Sequence, residues 1–322
     1  MDESAKLGLV AIGRNEGERL QHCLRSVPRS VPIVYVDSAS TDGSADFARS
    51  MGAHVVELDL TMPFTAARAR NSGLEALLLS RPDIEYVQFV DGDCELESGW
   101  LATAEACLSS EPTAAAVCGR RRERYPERSI YNEMCDSEWN TPVGEAAACG
   151  GDAMFRVEAL KQVQGYDPAV IAGEEPELCF RLRGAGWTVW RIDSPMTIHD
   201  ADMHSARQWW MRAVRSGFGY AQVWQKTSGA KRQALYGRQV ASAIGWTVGV
   251  ALLGLTLSIA FGPPAAAIAP LLWAIQLARL SWRGGRIWGW HMLIGKFAET
   301  IGILRFAAAR IGGKKQGAIF YK

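Results

Sequence analysis

Two carboxylates one residue apart, Asp91 and Asp93, follow a short apolar run over residues 86–90. The run is rich in β-branched and aromatic residues and is too short for a helix, so it predicts a buried strand. Ligands bind at the C-terminal ends of strands in open α/β sheets. An Asp-x-Asp pair at such a strand end suits a hard divalent cation that also binds phosphates. The alternative is a surface turn, because Asp-Gly is common in turns.

Three further polar stretches occur at comparable points of the chain. Asn15 and Glu16 follow the first predicted strand, and Asp37 follows the second. The acidic pair Glu174-Glu175 opens a later helix, where the helix dipole alone would also explain its charge. Because parallel strands end at one edge of a sheet, all three stretches can share a crevice with the Asp-x-Asp pair.

The elements that would position these residues alternate between strand and helix. We predict strands at residues 7–12, 32–36, 54–58, 86–90, 113–118, 150–156 and 187–192. We predict helices at residues 16–27, 42–51, 65–80, 98–109, 157–163 and 173–184, with Ser98 as a helix cap. This alternation indicates an α/β fold, Rossmann-like, with a mostly parallel sheet and helices on both faces. Residues 129–148 show no clear pattern.

The two ends of the chain differ sharply in charge. Residues 1–202 contain 19 Lys/Arg and 33 Asp/Glu, whereas residues 203–322 contain 16 Lys/Arg and one acidic residue, Glu299. The formal charge is therefore −14 in the first part and +15 in the second. Such asymmetry indicates a basic segment that meets an anionic surface. Long apolar runs within this segment favour a membrane, so we expect no nucleic-acid partner.

The apolar runs predict how the basic part meets a membrane. Residues 205–226 form an amphipathic pattern typical of an interfacial helix, or alternatively of a helix packed on the preceding domain. Residues 239–261 are uncharged and long enough to span about 30 Å of hydrocarbon. With a second apolar run they predict a transmembrane helical hairpin over residues 239–282. Residues 288–309 contain charges and are predicted to be interfacial or packed against the hairpin, or to contact another copy in a homo-oligomer.

Arginines at the ends of the hairpin predict its orientation. Arg238 precedes the pair of helices, and Arg279, Arg283 and Arg286 follow or end it, whereas the turn between them is uncharged. Cytoplasmic loops carry the excess of Lys and Arg, so both ends of the hairpin belong in the cytoplasm. The N-terminal residues show no apolar signal segment, which also favours the cytoplasm for the acidic part.

The seven cysteines favour a reducing compartment. Their number is odd, and no Cys-x-x-Cys motif occurs. Free thiols are therefore expected, and neither a disulfide framework nor a zinc site.

The four polar stretches, in this order and spacing, resemble those of the family 2 glycosyltransferases, which are inverting enzymes with the GT-A fold. The resemblance extends over about residues 7–226. It implies a GT-A catalytic domain at residues 1–204, with a nucleotide-sugar half at 1–112 and an acceptor half at 113–204. The interfacial helix and linker then occupy residues 205–232, and the membrane region 233–322. This C-terminal part resembles that of membrane-attached bacterial members.

The resemblance also implies roles for the residues of the nucleotide site. Asp37 matches the aspartate that binds the nucleotide base, and Asn15 and Glu16 lie in the matching first loop. Arg70 matches a segment that lines the nucleotide site. Asp91 and Asp93 match the pair that holds Mg²⁺ or Mn²⁺ on the diphosphate, with Asp93 expected on the metal and Asp91 nearer the ribose.

Other residues receive roles at the acceptor side. Glu175 matches the second member of the acidic pair that provides the catalytic base, with Glu174 as its first member and Glu177 as a competing candidate. His199 is either a further metal ligand or a core histidine. Gly151 and Asp152 are expected to border the acceptor.

Four arginines lie close together near the start of the acceptor half, namely Arg120, Arg121, Arg122 and Arg124. A solvated basic face is the favoured interpretation of this run. The alternative is contact with a phosphate on a lipid acceptor.

We therefore predict an inverting transferase that moves one sugar from a nucleotide-diphosphate sugar, with uridine favoured, to a lipid-linked or membrane-bound acceptor. Processive synthases of the family carry Gln-x-x-Arg-Trp, whereas residues 208–213 read Gln-Trp-Trp-Met-Arg-Ala, so we expect single-sugar transfer for surface polysaccharide or glycolipid. One alternative is a polyprenyl-phosphate acceptor, and another is a silent nucleotide-sugar-binding membrane subunit. The expected location is the bacterial inner membrane, with the catalytic domain on the cytoplasmic side.

Overall fold

The computed structural model describes residues 6–59, 61–230 and 233–312. The chain forms two compact units, Met1–His204 and Ser205–Lys322. The first is an α/β unit built on one sheet, and the second is entirely helical in its described residues. The last ten residues of the predicted membrane region, 313–322, lie outside the described part.

Among the described residues of the first unit, nine strands form the sheet. They are β1 (Leu7–Gly13), β2 (Ile33–Asp37), β3 (His54–Glu57), β4 (Tyr86–Asp91), β5 (Cys94–Leu96), β6 (Ala114–Glu123), β7 (Gly144–Glu145), β8 (Met154–Arg156) and β9 (Thr188–His199). The order across the sheet is β3-β2-β1-β4-β8-β6-β9-β5, and β7 also pairs with β9.

The sheet is parallel on one side and mixed on the other. Strands β1 to β4 are all parallel, as the alternation of strands and helices predicts. Strand β8 then runs antiparallel to both β4 and β6, and β6 pairs in parallel with β9. The β1 to β4 half therefore has the Rossmann-like arrangement, and the antiparallel β8 joins it to the second half.

Seven α-helices accompany this sheet in the part of the unit that the structure describes. They are α1 (Glu18–Arg25), α2 (Ser44–Ser50), α3 (Ala66–Ser80), α4 (Trp100–Ser110), α5 (Ile130–Trp139), α6 (Val157–Gln162) and α7 (Glu174–Gly184). Thr65 caps α3 by accepting a hydrogen bond from the Arg68 amide at 3.1 Å. The predicted cap Ser98 is wrong by one residue, because α4 begins after Gly99, whose φ of +81° suits glycine.

The core lies between the sheet and these helices. Strand β1 is buried along nearly its whole length, and Leu9, Val10 and Ala11 have no exposed surface. A strand buried on both faces reads as a continuous apolar run rather than an alternating one. This is why the first and fourth strands are recognisable in the sequence.

The second half departs from the predicted boundaries. Strand β6 continues to Glu123 and so includes most of the arginine run, and β9 extends to His199 rather than ending at residue 192. Strand β8 is only three residues long, so residues 150–153 form a loop. The sequence gives no strand signal for β5, since three residues are too few for a periodic pattern.

Four helical segments make up the second unit. Helix α8 (Ala206–Thr227) begins with a capping box between Ser205 and Gln208. Two apolar helices follow, Gly237–Phe261 and Pro263–Gly284. The C-terminal helix is Arg286–Ile311.

Both apolar helices are long and apolar enough to cross a membrane by length and composition. Only 17% and 6% of their most apolar 18-residue stretches are buried. Their exposed side chains include Leu252, Leu255, Ile259, Leu271 and Ile275. A core helix of a soluble protein would bury this surface. The two helices are therefore consistent with the predicted membrane hairpin.

The apolar face of α8 packs on the C-terminal helix, an arrangement that neither interpretation of residues 205–226 anticipated. Phe218 is buried, and its ring meets Phe306 edge-on at 5.3 Å. The backbones touch, because a Cβ on Gly217 would lie 2.0 Å from the Glu299 carbonyl oxygen, and one on Gly302 would lie 2.0 Å from that of Val214. Glycine at both positions thus permits the close helix contact.

Candidate active site

Three neighbouring strands bring the predicted residues of the nucleotide site to one edge. Gly13 at the end of β1 pairs in register with Asp37 of β2, and Ile12 pairs with Asp91 of β4. The Gly92 amide then donates a hydrogen bond of 2.7 Å to the Ile12 carbonyl. The C-terminal ends of the parallel strands therefore lie side by side, as the four motifs require.

The first two loops are linked by hydrogen bonds across this edge. Asn15, with a φ of +55° that asparagine tolerates, accepts a hydrogen bond from the Thr41 amide at 2.7 Å. Asp37 is buried and accepts from the Ser40 amide at 2.8 Å and from the Tyr35 hydroxyl at 3.2 Å. Glu16 lies 3.0 Å from Arg19. These residues shape the first part of the crevice.

Arg70 of α3 joins the Asp-x-Asp motif to the acidic pair of α7. Its Nη2 lies 2.8 Å from Asp91 Oδ1, and its Nη1 lies 3.1 Å from Glu174 Oε1 and 3.2 Å from Glu175 Oε1. Arg70 is only 2% exposed. The structure therefore places it beneath the site, where it holds carboxylates, and its predicted role at the nucleotide site stays a prediction.

A second guanidinium, that of Arg121, holds Asp91 from the other side. Its Nη2 lies 3.4 Å from Asp91 Oδ2 and 2.6 Å from Asp152 Oδ2. Asp152 is fully buried and also accepts hydrogen bonds from the Asp91 amide at 3.0 Å and from the Thr197 hydroxyl at 2.9 Å. The carboxylate of Asp152 thus supports Asp91, and its predicted place at the border of the acceptor site stays a prediction.

Gly151 packs directly against this cluster. A Cβ at this position would lie 2.3 Å from Arg70 Nη2 and 2.9 Å from Asp91 Oδ2. Neither neighbour can yield easily, because each is held by further ion pairs. Glycine, which has no Cβ, therefore fits at position 151 without displacing Arg70 or Asp91.

His199 is the last residue of β9, in the second half of the sheet. Strand β9 runs between β5 and β6, so His199 pairs with Cys94 on one side and with Glu123 on the other. Its Nε2 is 3.3 Å from Asp93 Oδ2, and its Nδ1 is 3.7 Å from Glu123 Oε2. Burial opposes a charge on this imidazole, but Asp93 and Glu123 outweigh burial and raise its pKa. The carboxylates around His199 therefore favour positive charge at this place, whether it is carried by the imidazole or by a bound cation.

The residues around Asp93 fit a hard divalent cation. Asp93, Cys94 and His199 offer ligand atoms within 4.8 Å of one another. Burial, together with nearby carboxylates such as Asp152, raises the pKa of the Cys94 thiol well above its usual value, so it stays protonated. Carboxylate and imidazole ligands without a thiolate suit Mg²⁺ or Mn²⁺.

The charge balance of the whole cluster also favours a cation. Its acidic members outnumber its two guanidinium groups, those of Arg70 and Arg121. These acidic members are Asp91, Asp93, Asp152, Glu123, Glu174 and Glu175. Buried charges must be paired or bind metals. A divalent cation would balance the excess negative charge of these carboxylates.

Glu175 has the electrostatic properties of a general base. Burial, and then the negative charge of Glu174, raise its pKa to about 7, against the opposing charge of Arg70. A base with a pKa near the working pH transfers protons most effectively. The competing candidate Glu177 instead forms an ion pair with Arg181 through both carboxylate oxygens, each at 2.8 Å.

The arginine run is paired rather than free. Arg120 contacts Asp136, Arg122 contacts Glu97, and Arg124 contacts Glu95. Neither the solvated basic face nor the lipid-phosphate contact describes this arrangement.

Three residues of the site were not expected from the sequence, namely Arg121, Glu123 and Trp139. Trp139 packs edge-on against the His199 ring at 4.7 Å, and the Arg121 guanidinium lies 5.4 Å from the Trp139 ring centre. Trp139 belongs to a helix in residues 129–148, where the sequence shows no clear pattern, so no local signal identified it.

Part of the chain also matches a known protein family. Residues 10–163 match the model described as Glycosyl transferase family 2. These residues are therefore similar to a family 2 glycosyltransferase domain, and we call the first unit the family 2 domain. The match covers β1 to α6, and it therefore includes Asp37, Arg70, Asp91, Asp93 and Asp152.

Two relatives show where such domains occur. The succinoglycan biosynthesis protein ExoA of Rhizobium meliloti is 25% identical over 181 residues, which are 53% of this chain and 54% of ExoA. A pre-mycofactocin glycosyltransferase of Mycobacterium tuberculosis is 29% identical over 190 residues, 54% of this chain and 38% of that protein. The alignments thus span about half or less of these relatives.

A solved structure supports the fold. The mannosyltransferase PcManGT of Pyrobaculum calidifontis, in complex with GDP-Man and Mn²⁺, superposes with a TM-score of 0.61 at 20% identity. The superposition covers 93% of this chain and 87% of PcManGT. The family 2 domain therefore has the GT-A fold that the sequence predicts.

Replacement of Arg70 by lysine should destabilise the family 2 domain. One ammonium cannot contact Asp91, Glu174 and Glu175 together, and breaking a buried ion pair costs about 3–5 kcal/mol. We expect Arg70→Lys to lower the thermal unfolding midpoint of the full chain by about 10 °C, measured by intrinsic fluorescence in detergent. In contrast, Arg122→Lys at an exposed ion pair should shift it by less than about 2 °C. Equal shifts in both variants would contradict the role of Arg70.

Proposed function

We propose that this chain is an inverting glycosyltransferase that moves one sugar from a nucleotide-diphosphate sugar to a lipid-linked or membrane-bound acceptor. The observation that carries the proposal is the contact of Arg70 with Asp91 and with Glu174-Glu175. It brings the Asp-x-Asp motif and a carboxylate of raised pKa to one edge of the sheet. Inversion needs one base on the face opposite the leaving group, and a single such carboxylate suffices.

The donor would occupy the crevice at the ends of β1, β2 and β4. Asp37 would bind the nucleotide base, the loop of Asn15 and Glu16 would line the nucleotide site, and Asp91 would lie nearer the ribose. PcManGT was solved with GDP-Man and Mn²⁺, which supports a sugar nucleotide and a divalent cation here. The uridine base favoured by the sequence stays a prediction.

Asp93 and His199 would hold Mg²⁺ or Mn²⁺, with Asp91 close by. Such an ion, when bound, neutralises the negative charge that develops on a leaving diphosphate. On the acceptor side, Glu175 would take the proton of the attacking hydroxyl, and Glu174 would keep the pKa of Glu175 high enough for this transfer. Gly151 would border the space in which donor and acceptor meet.

The acceptor is proposed to be lipid-linked because of the second unit. ExoA functions in succinoglycan biosynthesis by its name, which supports a role in surface polysaccharide. A polyprenyl phosphate as acceptor is the alternative within the same enzyme class. A silent binding subunit is disfavoured, since such a subunit has no use for a carboxylate with a pKa of about 7.

Replacement of the proposed base should abolish transfer without preventing folding. We expect Glu175→Gln to lower kcat by at least 100-fold, because the amide cannot accept the proton. Transfer from a panel of nucleotide sugars to membrane lipid extracts, followed by mass spectrometry of the product, measures the loss and reveals the linkage. Glu177→Gln is the matched variant on the same helix and should retain kcat in the folded fraction. An active Glu175→Gln would remove Glu175 from this role.

The pH dependence of the reaction should reflect the raised pKa of Glu175. A base must be deprotonated, so kcat/KM should rise with pH through about 7. Glu174→Gln removes a like charge that raises this pKa, so the acidic limb should move to lower pH. An unchanged limb in Glu174→Gln, measured from kcat/KM between acidic and mildly basic pH, would contradict the assignment.

The second unit is proposed to anchor the enzyme in the bacterial inner membrane with the catalytic unit in the cytoplasm. Its support is the pair of apolar, mostly unburied helices and the arginines at the outer ends of the hairpin. In this orientation the uncharged turn near Gly262 lies on the far side of the membrane.

Epitope tags in the full chain can test this topology. A tag inserted after Gly262 should be reached by antibody in intact spheroplasts, whereas a tag after Gly229 should be reached only after permeabilisation. Alkaline carbonate should leave both proteins in the membrane fraction. The opposite pattern of labelling, or release by carbonate, would contradict the hairpin or its orientation.

A further inference from the structure

Glu123, the last residue of β6, is a buried carboxylate whose charge needs an explanation. Its side chain has no exposed surface. Its Oε1 accepts hydrogen bonds from Asn132 Nδ2 and from the Tyr125 amide, both at 3.2 Å, and its Oε2 accepts one from the Ala201 amide at 3.0 Å. All three donors are neutral. A buried carboxylate served only by neutral donors still carries a desolvation cost of several kcal/mol.

The titratable group that faces Glu123 is His199. Both residues end their strands, and they pair in register across β6 and β9. The imidazole lies between two carboxylates, with Nδ1 3.7 Å from Glu123 and Nε2 3.3 Å from Asp93. Trp139 packs against the ring. Nδ1 is buried and makes no hydrogen bond at this distance, so a small shift of either side chain would bring it within bonding distance of Glu123.

We propose that Glu123 is a positioning residue that makes His199 a metal ligand. The carboxylate of Glu123 favours the tautomer with its proton on Nδ1, which leaves the lone pair of Nε2 directed towards Asp93. Histidines that bind metals in proteins generally donate their other N–H to a carboxylate, a carbonyl or a water. The proposal rests on the metal site of the proposed function, and it adds Glu123 as the residue that orients the ligand His199.

A purely structural role for Glu123 is the competing explanation, since Glu123 also holds the Ala201 amide. The two roles predict different effects on metal binding when Glu123 is replaced in a chain that already lacks His199. A positioning residue affects metal binding only through the histidine, so its replacement should have no further effect once His199 has been replaced. A structural residue would weaken binding with or without the histidine.

Mn²⁺ binding to the full chain in nanodiscs, measured by electron paramagnetic resonance of the free ion, separates these roles. We expect Glu123→Gln to weaken Mn²⁺ binding by about 10–100-fold, and His199→Gln to weaken it by at least as much. The double variant should bind like His199→Gln alone. If Glu123→Gln fails to fold, Glu123→Asp withdraws the carboxylate by one methylene, and the same comparison applies to it.

Two further variants keep the outcome specific. Glu97→Gln, at an exposed ion pair with Arg122, should leave the Kd for Mn²⁺ unchanged. Asp93→Asn should weaken binding strongly, and if it does not, the metal site of the proposed function is wrong. If Asp93→Asn loses Mn²⁺ whereas Glu123→Gln binds it normally, only the role of Glu123 is overturned. The same holds if the double variant binds Mn²⁺ more weakly than His199→Gln alone.

Discussion

One buried guanidinium determines whether the site exists. Arg70 projects from α3 and contacts the end of β4 and the start of α7 at once. Glu174 is more than 100 residues away from Arg70 in sequence, so the site forms only when both halves of the unit have folded. Gly151 leaves the space that this contact needs. The proposed metal site and the proposed base are thus joined by the same ion-pair cluster.

The excess of carboxylates around Arg70 and Arg121 has two consequences that belong together. Burial is the larger cause of the raised pKa of Glu175, and the excess of carboxylates adds to it through the charge of Glu174. The same excess favours positive charge near Asp93 and His199. When the environments of two titratable groups shift their pKa values apart, the acid and the base of a site can generally be assigned from these shifts. The proposed base and the proposed cation site would therefore both depend on the same imbalance of charge.

The sequence predicted the β1 to β4 half of the sheet well because its strands are short, apolar and end in polar motifs. It also predicted the acidic pair at the start of α7. It did not predict the pairing of Arg120 to Arg124, because their carboxylates come from distant segments and from a helix without a clear pattern. Arg121 and Glu123 belong to the same strand, and their partners lie about 30 and 75 residues away. Such long-range contacts leave no local pattern to read.

The connection between the two units has a mechanical consequence. After His199, the Ala201 amide is held by Glu123 at 3.0 Å, and the Met203 amide is held by Asn132 at 3.1 Å. These bonds lie between the histidine and Ser205, where the second unit begins. A pull on the chain at Ser205 would load the Met203 and Ala201 bonds before any strain reached the imidazole. The two hydrogen bonds therefore act as a mechanical clamp, which would take up strain in the chain before it reached His199.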